Sequence, residues 1–200
     1  MKIEAHTGAI TLPSGFVLHR TLKMDAFRAS GLCESENIYN PGTPWYYHRF
    51  RDGDFEGQPL GFAVCFYENQ NSRESALTHC SFAASRLFDP AKRASWDDWS
   101  LEEDAAILEL NRGLLKQLLG NPHRFQKNMS EWEGFPIFQT CALYDFKWGK
   151  VWCGSEDIKS NVMDTGIGLR YIANDQWARD DYEQYRKSLP AEPFWKKWKR

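Results

Sequence analysis

One stretch, WSLEEDAAILELNRGLLKQLLGNP from Trp99 to Pro122, constrains the fold more than any other part of the chain. Ser100 stands before an apolar-periodic run and Glu103 follows it three residues later. That spacing is a capping box, in which the hydroxyl and the carboxylate each satisfy a backbone N–H that a helix start leaves open. The acids Glu102, Glu103 and Asp104 suit the positive end of the helix dipole, and Gly120 with Pro122 stops the helix. Leu101, Ala105, Leu108, Leu115 and Leu119 fall near one face, with Ile107, Leu114 and Leu118 widening it. The pattern predicts a single helix over 100–119, lying across a sheet through Leu108 and Leu115.

Around this helix the period changes to two. Gly8–Arg20 reads as two short strand-like segments joined at Pro13-Ser14-Gly15, and the stretch that follows, LKMDAFRASGL, as a short helix. The Asn, Pro and Gly content of Ser35–Pro44 reads as loop. Beyond it, WYYHRF and LGFAVCFYE flank a hairpin turn placed at Asp52-Gly53, where glycine accepts positive φ. Leu60, Phe62, Val64 and Phe66 alternate strictly, and ALTHCSFAA reads as the third strand of a meander.

After the helix, the residues from Asn121 to Phe135 read as loop, followed by strands at YDFKWGKVWCGSED and TGIGLRYI. Tyr144, Phe146 and Trp148 alternate, as do Ile167, Leu169 and Tyr171, which predicts an antiparallel pair sharing one buried face. Trp152 lies beyond Gly149, a candidate bulge, so its face is open and it is the ring most free to serve a ligand. The order of elements predicts an α+β domain with a mainly antiparallel sheet of about five to six strands and one long helix packed across it. We read residues 1–173 as that single domain and 174–200 as a C-terminal helix with a basic aromatic tail, FWKKWKR. No internal repeat is visible.

Composition narrows the function. A formal net charge of -2 argues against nucleic acid as the main partner, because phosphate binding needs concentrated basic surface. There is no secretory signal and no apolar run long enough to span a bilayer, so a cytoplasmic chain without membrane association is expected. The cysteines, Cys33, Cys65, Cys80, Cys141 and Cys153, are five, with no C-x-x-C pair, and read as free thiols.

Catalytic and metal signatures are sparse. Asp52, Asp54, Glu56 and Gly57 imitate the start of a calcium loop, but its twelfth position, which needs a bidentate carboxylate, is Ala63. His79 and Cys80 are adjacent on a strand, so they point to opposite faces and cannot act as base and thiol together. His6, His19, His48 and His123 lack metal spacing. No cofactor and no metal is expected. What remains is an acidic cluster, Asp97, Asp98, Glu102, Glu103 and Asp104, with Trp96 and Trp99 among it. Charge of this kind caps and solvates a helix, or steers a basic protein partner, and tryptophans of this kind anchor interfaces or cores.

The segments WDDWSLEED, NRGLLKQLLG, YDFKWGKV and GIGLRY together resemble small bacterial proteins that share a WxxWS helix start, an LLxxLLG helix end and an FxWG strand. The resemblance covers about half the chain. It is immunity-protein-like, implying neutralisation of a toxin, and it supplies no catalytic residues. The expected function is therefore a non-catalytic protein-binding domain, with Trp96, Asp97, Asp98, Trp99, Glu102, Glu103 and Asp104 meeting a basic partner. The alternative is an enzyme or small-ligand-binding protein with an aromatic-lined cleft at Trp148 and Trp152.

Overall fold

The structure, a computed structural model of the chain, describes residues 1–39, 45–67, 76–85, 100–132, 135–154, 165–172 and 187. Three short strands, β1 (Lys2–Ile3), β2 (Ile10–Thr11) and β3 (Val17–Leu18), form a small antiparallel sheet, followed by helix α1 (Met24–Ala29). Four strands follow in succession: β4 (Ser35–Tyr39), β5 (Trp45–Phe55), β6 (Gln58–Tyr67) and β7 (Ala76–Ala84). The long helix α2 (Leu101–Leu119) then leads into β8 (Arg124–Trp132), β9 (Phe135–Phe146), β10 (Gly149–Cys153) and β11 (Ile167–Tyr171).

The second sheet is eight-stranded in the order β4-β5-β6-β7-β11-β10-β9-β8, and every neighbouring pair is antiparallel. Two meanders of four strands, each preceded by a helix, thus meet through their last strands, β7 and β11. This topological repeat has no counterpart in the residues, because packing needs only the alternation of apolar positions and not their identity. Both helices lie on one face. Phe27 of α1 meets Phe50 and Phe66, while α2 lies over β7 and β10.

Register explains the core. His48, Val64, Cys80, Leu169, Val151 and Tyr144 form one continuous row across six strands and point toward the helices. Phe50, Phe62 and Phe82 add a stacked aromatic run beside it. From α2, Leu108, Leu114 and Leu115 close the core as expected, and Ser100 makes both halves of its capping box. The buried stripe of the helix also includes Asp104 and Asn111, whereas Ala105, assigned to that stripe by spacing, is exposed.

Several boundaries differ from the reading of the sequence. Ser35–Tyr39 is a strand rather than loop, because at the sheet margin it needs only β5 as a partner and few apolar residues. Arg124–Trp132 is a strand as well, and the strand expected from Tyr144 begins already at Phe135 (Phe135–Phe146), which with the hairpin below raises the sheet from the expected five or six strands to eight. The hairpin turn between β5 and β6 sits at Glu56-Gly57, both with positive φ of 49° and 75°. Asp52-Gly53 instead forms the register shift inside β5, where Asp52 accepts hydrogen bonds from the Ser14 backbone and hydroxyl at 3.1 and 2.5 Å. Finally, YDFKWGKVWC is a hairpin rather than one strand: it turns at Lys147-Trp148, so β10 is the partner of β11, while Tyr144 and Phe146, expected to pair with it, lie one strand further out on β9. The C-terminal segment with its tail lies outside the described residues, apart from Lys187.

Candidate functional site

The helix start is the first candidate. Ser100 extends its backbone (φ -123°, ψ 155°) so that its hydroxyl accepts from the Glu103 N–H at 3.2 Å, and the Glu103 carboxylate accepts from the Ser100 N–H at 3.3 Å. Glu102 projects into solvent and Glu103 is half-buried. Asp104 is 1% exposed, so it faces the interior and is not part of the acidic surface assigned to it. Its spacing from Leu108, Asn111 and Leu115 by four, seven and eleven residues puts it on the inward stripe. Trp96, Asp97, Asp98 and Trp99 lie outside the described residues.

The second candidate is the aromatic pair. Trp148 sits in the β9–β10 turn and folds onto the helix-side core, stacked on Phe146 with ring centroids 5.0 Å apart. Its indole N–H donates to the Ala5 carbonyl at 2.8 Å, and Gly8 passes so close to the ring that a Cβ there would collide with it. Tyr171 completes the joint by donating to the Gly8 carbonyl at 2.9 Å. Trp148 therefore anchors the small N-terminal sheet. Trp152 belongs to the opposite face, in a separate cluster with Cys141 and Leu143. The sheet stands between the two rings, and they do not line one cleft.

The face that carries Trp152 has its own organisation. Ala63, Ser81, Gly168, Trp152, Leu143 and Arg124 form one cross-strand row, and Cys65, His79, Arg170, Lys150 and Asp145 form the next. Gly168 gives the indole room to lie flat over β11, since a Cβ at that position would land on the ring. Lys150 Nζ and the Arg170 guanidinium stand 5.8 and 5.2 Å from the Trp152 ring, within cation–π range. Arg124 binds Asp145 through both carboxylate oxygens at 2.9 and 3.1 Å. Trp152 is 9% exposed and Lys150 6%, whereas Ser81 is exposed and His79, Arg124 and Arg170 are half-buried, so the indole is covered while the band around it reaches solvent. The sequence held a signal for it in Lys150 and Trp152, two positions apart and so on one face of a strand, but their partners come from β9 and β11.

The hydroxyls and thiols of the core are poor candidates for proton transfer. Burial pushes the Tyr144 phenol up to about 12, with a smaller contribution from Cys153, and it donates to the Gly120 carbonyl at 2.9 Å. Burial raises the Tyr171 phenol further and also raises the Cys80 thiol, so all three stay protonated at neutral pH. His79 lies on the far face with its ring 5.5 Å from that of Tyr47, which keeps it apart from Cys80, as strand geometry requires. Among the described residues, no group of three or more His, Cys, Asp or Glu side chains is arranged to hold a metal ion. No helix among them is long and apolar enough to cross a membrane.

Two further features went unread in the sequence. A cavity of about 320 Å³ is lined by Met1, Asp54, Phe55, Leu60, Leu114, Gln117 and Leu118, where the β5–β6 hairpin meets α2. Phe125, on the outermost strand β8, is 64% exposed, with the exposed Lys127 two residues on. Neither has a local signature, since a cavity needs three separated segments and an exposed phenylalanine looks like a buried one. No protein-family model, no curated protein and no solved structure matches this chain.

Proposed function

We propose that the protein is a non-catalytic domain that binds another protein and, more narrowly, an immunity-type protein that neutralises a toxin by covering its active site. The observation that carries the binding reading is the geometry at the start of α2. There the capping box holds Glu103 while Glu102 stands in solvent beside it, so negative charge is displayed from a rigid, packed element. A basic partner feels such charge over a Debye length, about 8 Å at physiological salt, and is steered toward it before contact. Asp97 and Asp98, immediately upstream, extend the acidic run in sequence. The narrower, immunity-type reading is supported by the resemblance of the helix, hairpin and closing-strand segments.

The test is kinetic. The full-length chain captures its partner from the native cell, mass spectrometry identifies it, and association is then measured at low and high salt. Replacing Asp97 and Asp98 by Asn and Glu102 by Gln is expected to slow association about tenfold at low salt and to flatten its salt dependence, with dissociation changing less. Equal rates and equal salt slopes would remove the helix start from the interface. A Phe125→Ser variant that weakened binding instead would move the contact to β8.

The cavity favours a second reading, small-ligand binding. Its volume of about 320 Å³ falls at the low end of ligand pockets, and Asp54 and Gln117 supply polar groups among apolar walls. Filling it with Leu114→Trp would abolish a thermal shift produced by such a ligand and leave protein binding intact.

A further inference from the structure

All five cysteines of the chain are described, and four of them, Cys65, Cys80, Cys141 and Cys153, are buried. Cys33 alone is half-buried. It lies in the short passage from α1 to β4, and its Sγ stands 3.4 Å from Nδ1 of His48 in the middle of β5. In the tautomer that carries its proton on Nε2, Nδ1 is a proton acceptor in hydrogen-bond reach of the thiol, the arrangement that converts a weak nucleophile into a strong one.

The pair is held from both sides. His48 is 0% exposed and packed against Phe27 of α1 and Phe66 of β6, with ring centroids 5.5 and 5.7 Å away. Cys33 is fixed by its neighbour Glu34, whose N–H donates to the Arg49 carbonyl at 2.9 Å and whose carboxylate accepts from Arg51 Nε at 3.0 Å. On the α1 side, Leu32 N–H donates to the Ser30 hydroxyl at 3.3 Å, which closes the helix end. A mobile thiol would lose most of the benefit of a nearby base, whereas this one is tethered on each side of the reacting atom.

We infer that Cys33 and His48 form a reactive thiol–imidazole pair and that Cys33 is a site of covalent oxidation by hydroperoxides. In the step, Sγ attacks one peroxide oxygen, the S–O bond forms and the O–O bond breaks. Sulfur is oxidised from thiol to sulfenic acid, and the hydroperoxide is reduced to an alcohol, or to water when it is hydrogen peroxide. The thiol proton passes to His48 Nδ1 and leaves with the departing oxygen, so the imidazole ends the step neutral. This inference stands independently of the binding function proposed above.

The ionisable residues on the elements that meet at the pair are Asp25 and Arg28 of α1, Glu34 beside Cys33, Glu36 and Tyr39 of β4, with Glu36 in register with His48, and Tyr46, Tyr47, Arg49, Arg51, Asp52 and Asp54 of β5. The facing residues of β6, Val64 and Phe66, carry no charge.

The experiment treats the full chain with hydrogen peroxide in the presence of dimedone, which traps sulfenic acid, and maps labelled cysteines by mass spectrometry. The same reaction in guanidinium chloride provides the rate of each thiol in the unfolded chain. Native Cys33 is expected to react at least about tenfold faster than unfolded Cys33, with the four buried cysteines protected, and its advantage is expected to grow as pH falls below the ordinary thiol range. His48→Phe, checked for cooperative unfolding, is expected to bring Cys33 to or below the unfolded rate. A native rate no faster than the unfolded one, or an advantage that does not grow at lower pH, overturns the inference. So does a folded His48→Phe variant that still reacts fast. Should that variant not fold, the native-to-unfolded comparison in the wild-type chain decides alone.

Discussion

Asn111 of α2 and Ala84 at the end of β7 are joined by a pair of hydrogen bonds: the Ala84 N–H donates to Asn111 Oδ1 at 2.8 Å, and Asn111 Nδ2 donates to the Ala84 carbonyl at 3.4 Å. The same amide donates to the Thr165 carbonyl at 3.0 Å, just before β11 begins. One fully buried side chain thus ties the helix to the two strands through which the meanders meet. Replacing it by leucine, which keeps the branching but has no polar atoms, strands these backbone groups in the interior. Asn111→Leu is expected to destabilise the protein by about 2–4 kcal/mol in urea unfolding. A loss below about 0.5 kcal/mol would mean that water takes over the role of the amide.

On the far face, Asp145 is buried and depends on Arg124, which is partly exposed. Arg124→Met leaves the carboxylate without its cation and is expected to cost about 2–3 kcal/mol, the lower part of the usual range because solvent reaches the arginine. Adding Asp145→Leu to that variant should recover part of the loss. Denaturant titrations of the two single variants and the double variant measure the coupling, and additive losses would show that the ion pair has no special role.

Gly168 and Trp152 make a size-complementary pair, since the indole occupies the space where a side chain at 168 would stand. Gly168→Ala is expected to destabilise by about 2 kcal/mol through overpacking, and by distinctly less in a Trp152→Leu background. Thermal melts of the four chains check the sign of the coupling. An equal penalty in both backgrounds would place the strain in the β11 backbone.

Alkaline stability follows from Tyr144. Its folded pKa of about 12 lies above the ordinary value of 10.0, so the unfolded chain loses this proton first as pH rises. The stabilisation is fully present below pH 10.0 and is lost between there and about 12, at about 1.4 kcal/mol per pH unit for this phenol, with Tyr171 shifted in the same direction. Urea unfolding across that window, with phenolate absorbance recorded in parallel, is expected to show Tyr144→Phe with a shallower slope than wild type. Identical slopes would mean that Tyr144 ionises freely in the folded protein.

The parts of the fold that were legible are those whose signal is local. The Ser100–Glu103 box, the leucine spacing of α2 and the alternation in β6 each involve residues within a few positions of one another, and each forms as expected. β8 was missed because RFQKNMSEW has little apolar alternation, and a strand at the sheet margin needs little. The hairpin at Lys147-Trp148 was missed because the alternation of Tyr144, Phe146 and Trp148 runs unbroken through the turn.

From the sequence alone came the class of the protein: an α+β chain with one capped helix on an antiparallel sheet, because propensity, capping and periodicity are short-range properties of the residues. Which residues share a face came only from the tertiary structure. It turned Asp104 inward, parted Trp148 from Trp152 by the thickness of a sheet, and brought Cys33 within 3.4 Å of His48, fifteen residues away in the chain. The reason is register. A slip of one residue reverses the face of every side chain in a strand, and what sets the register is pairing between segments far apart in sequence.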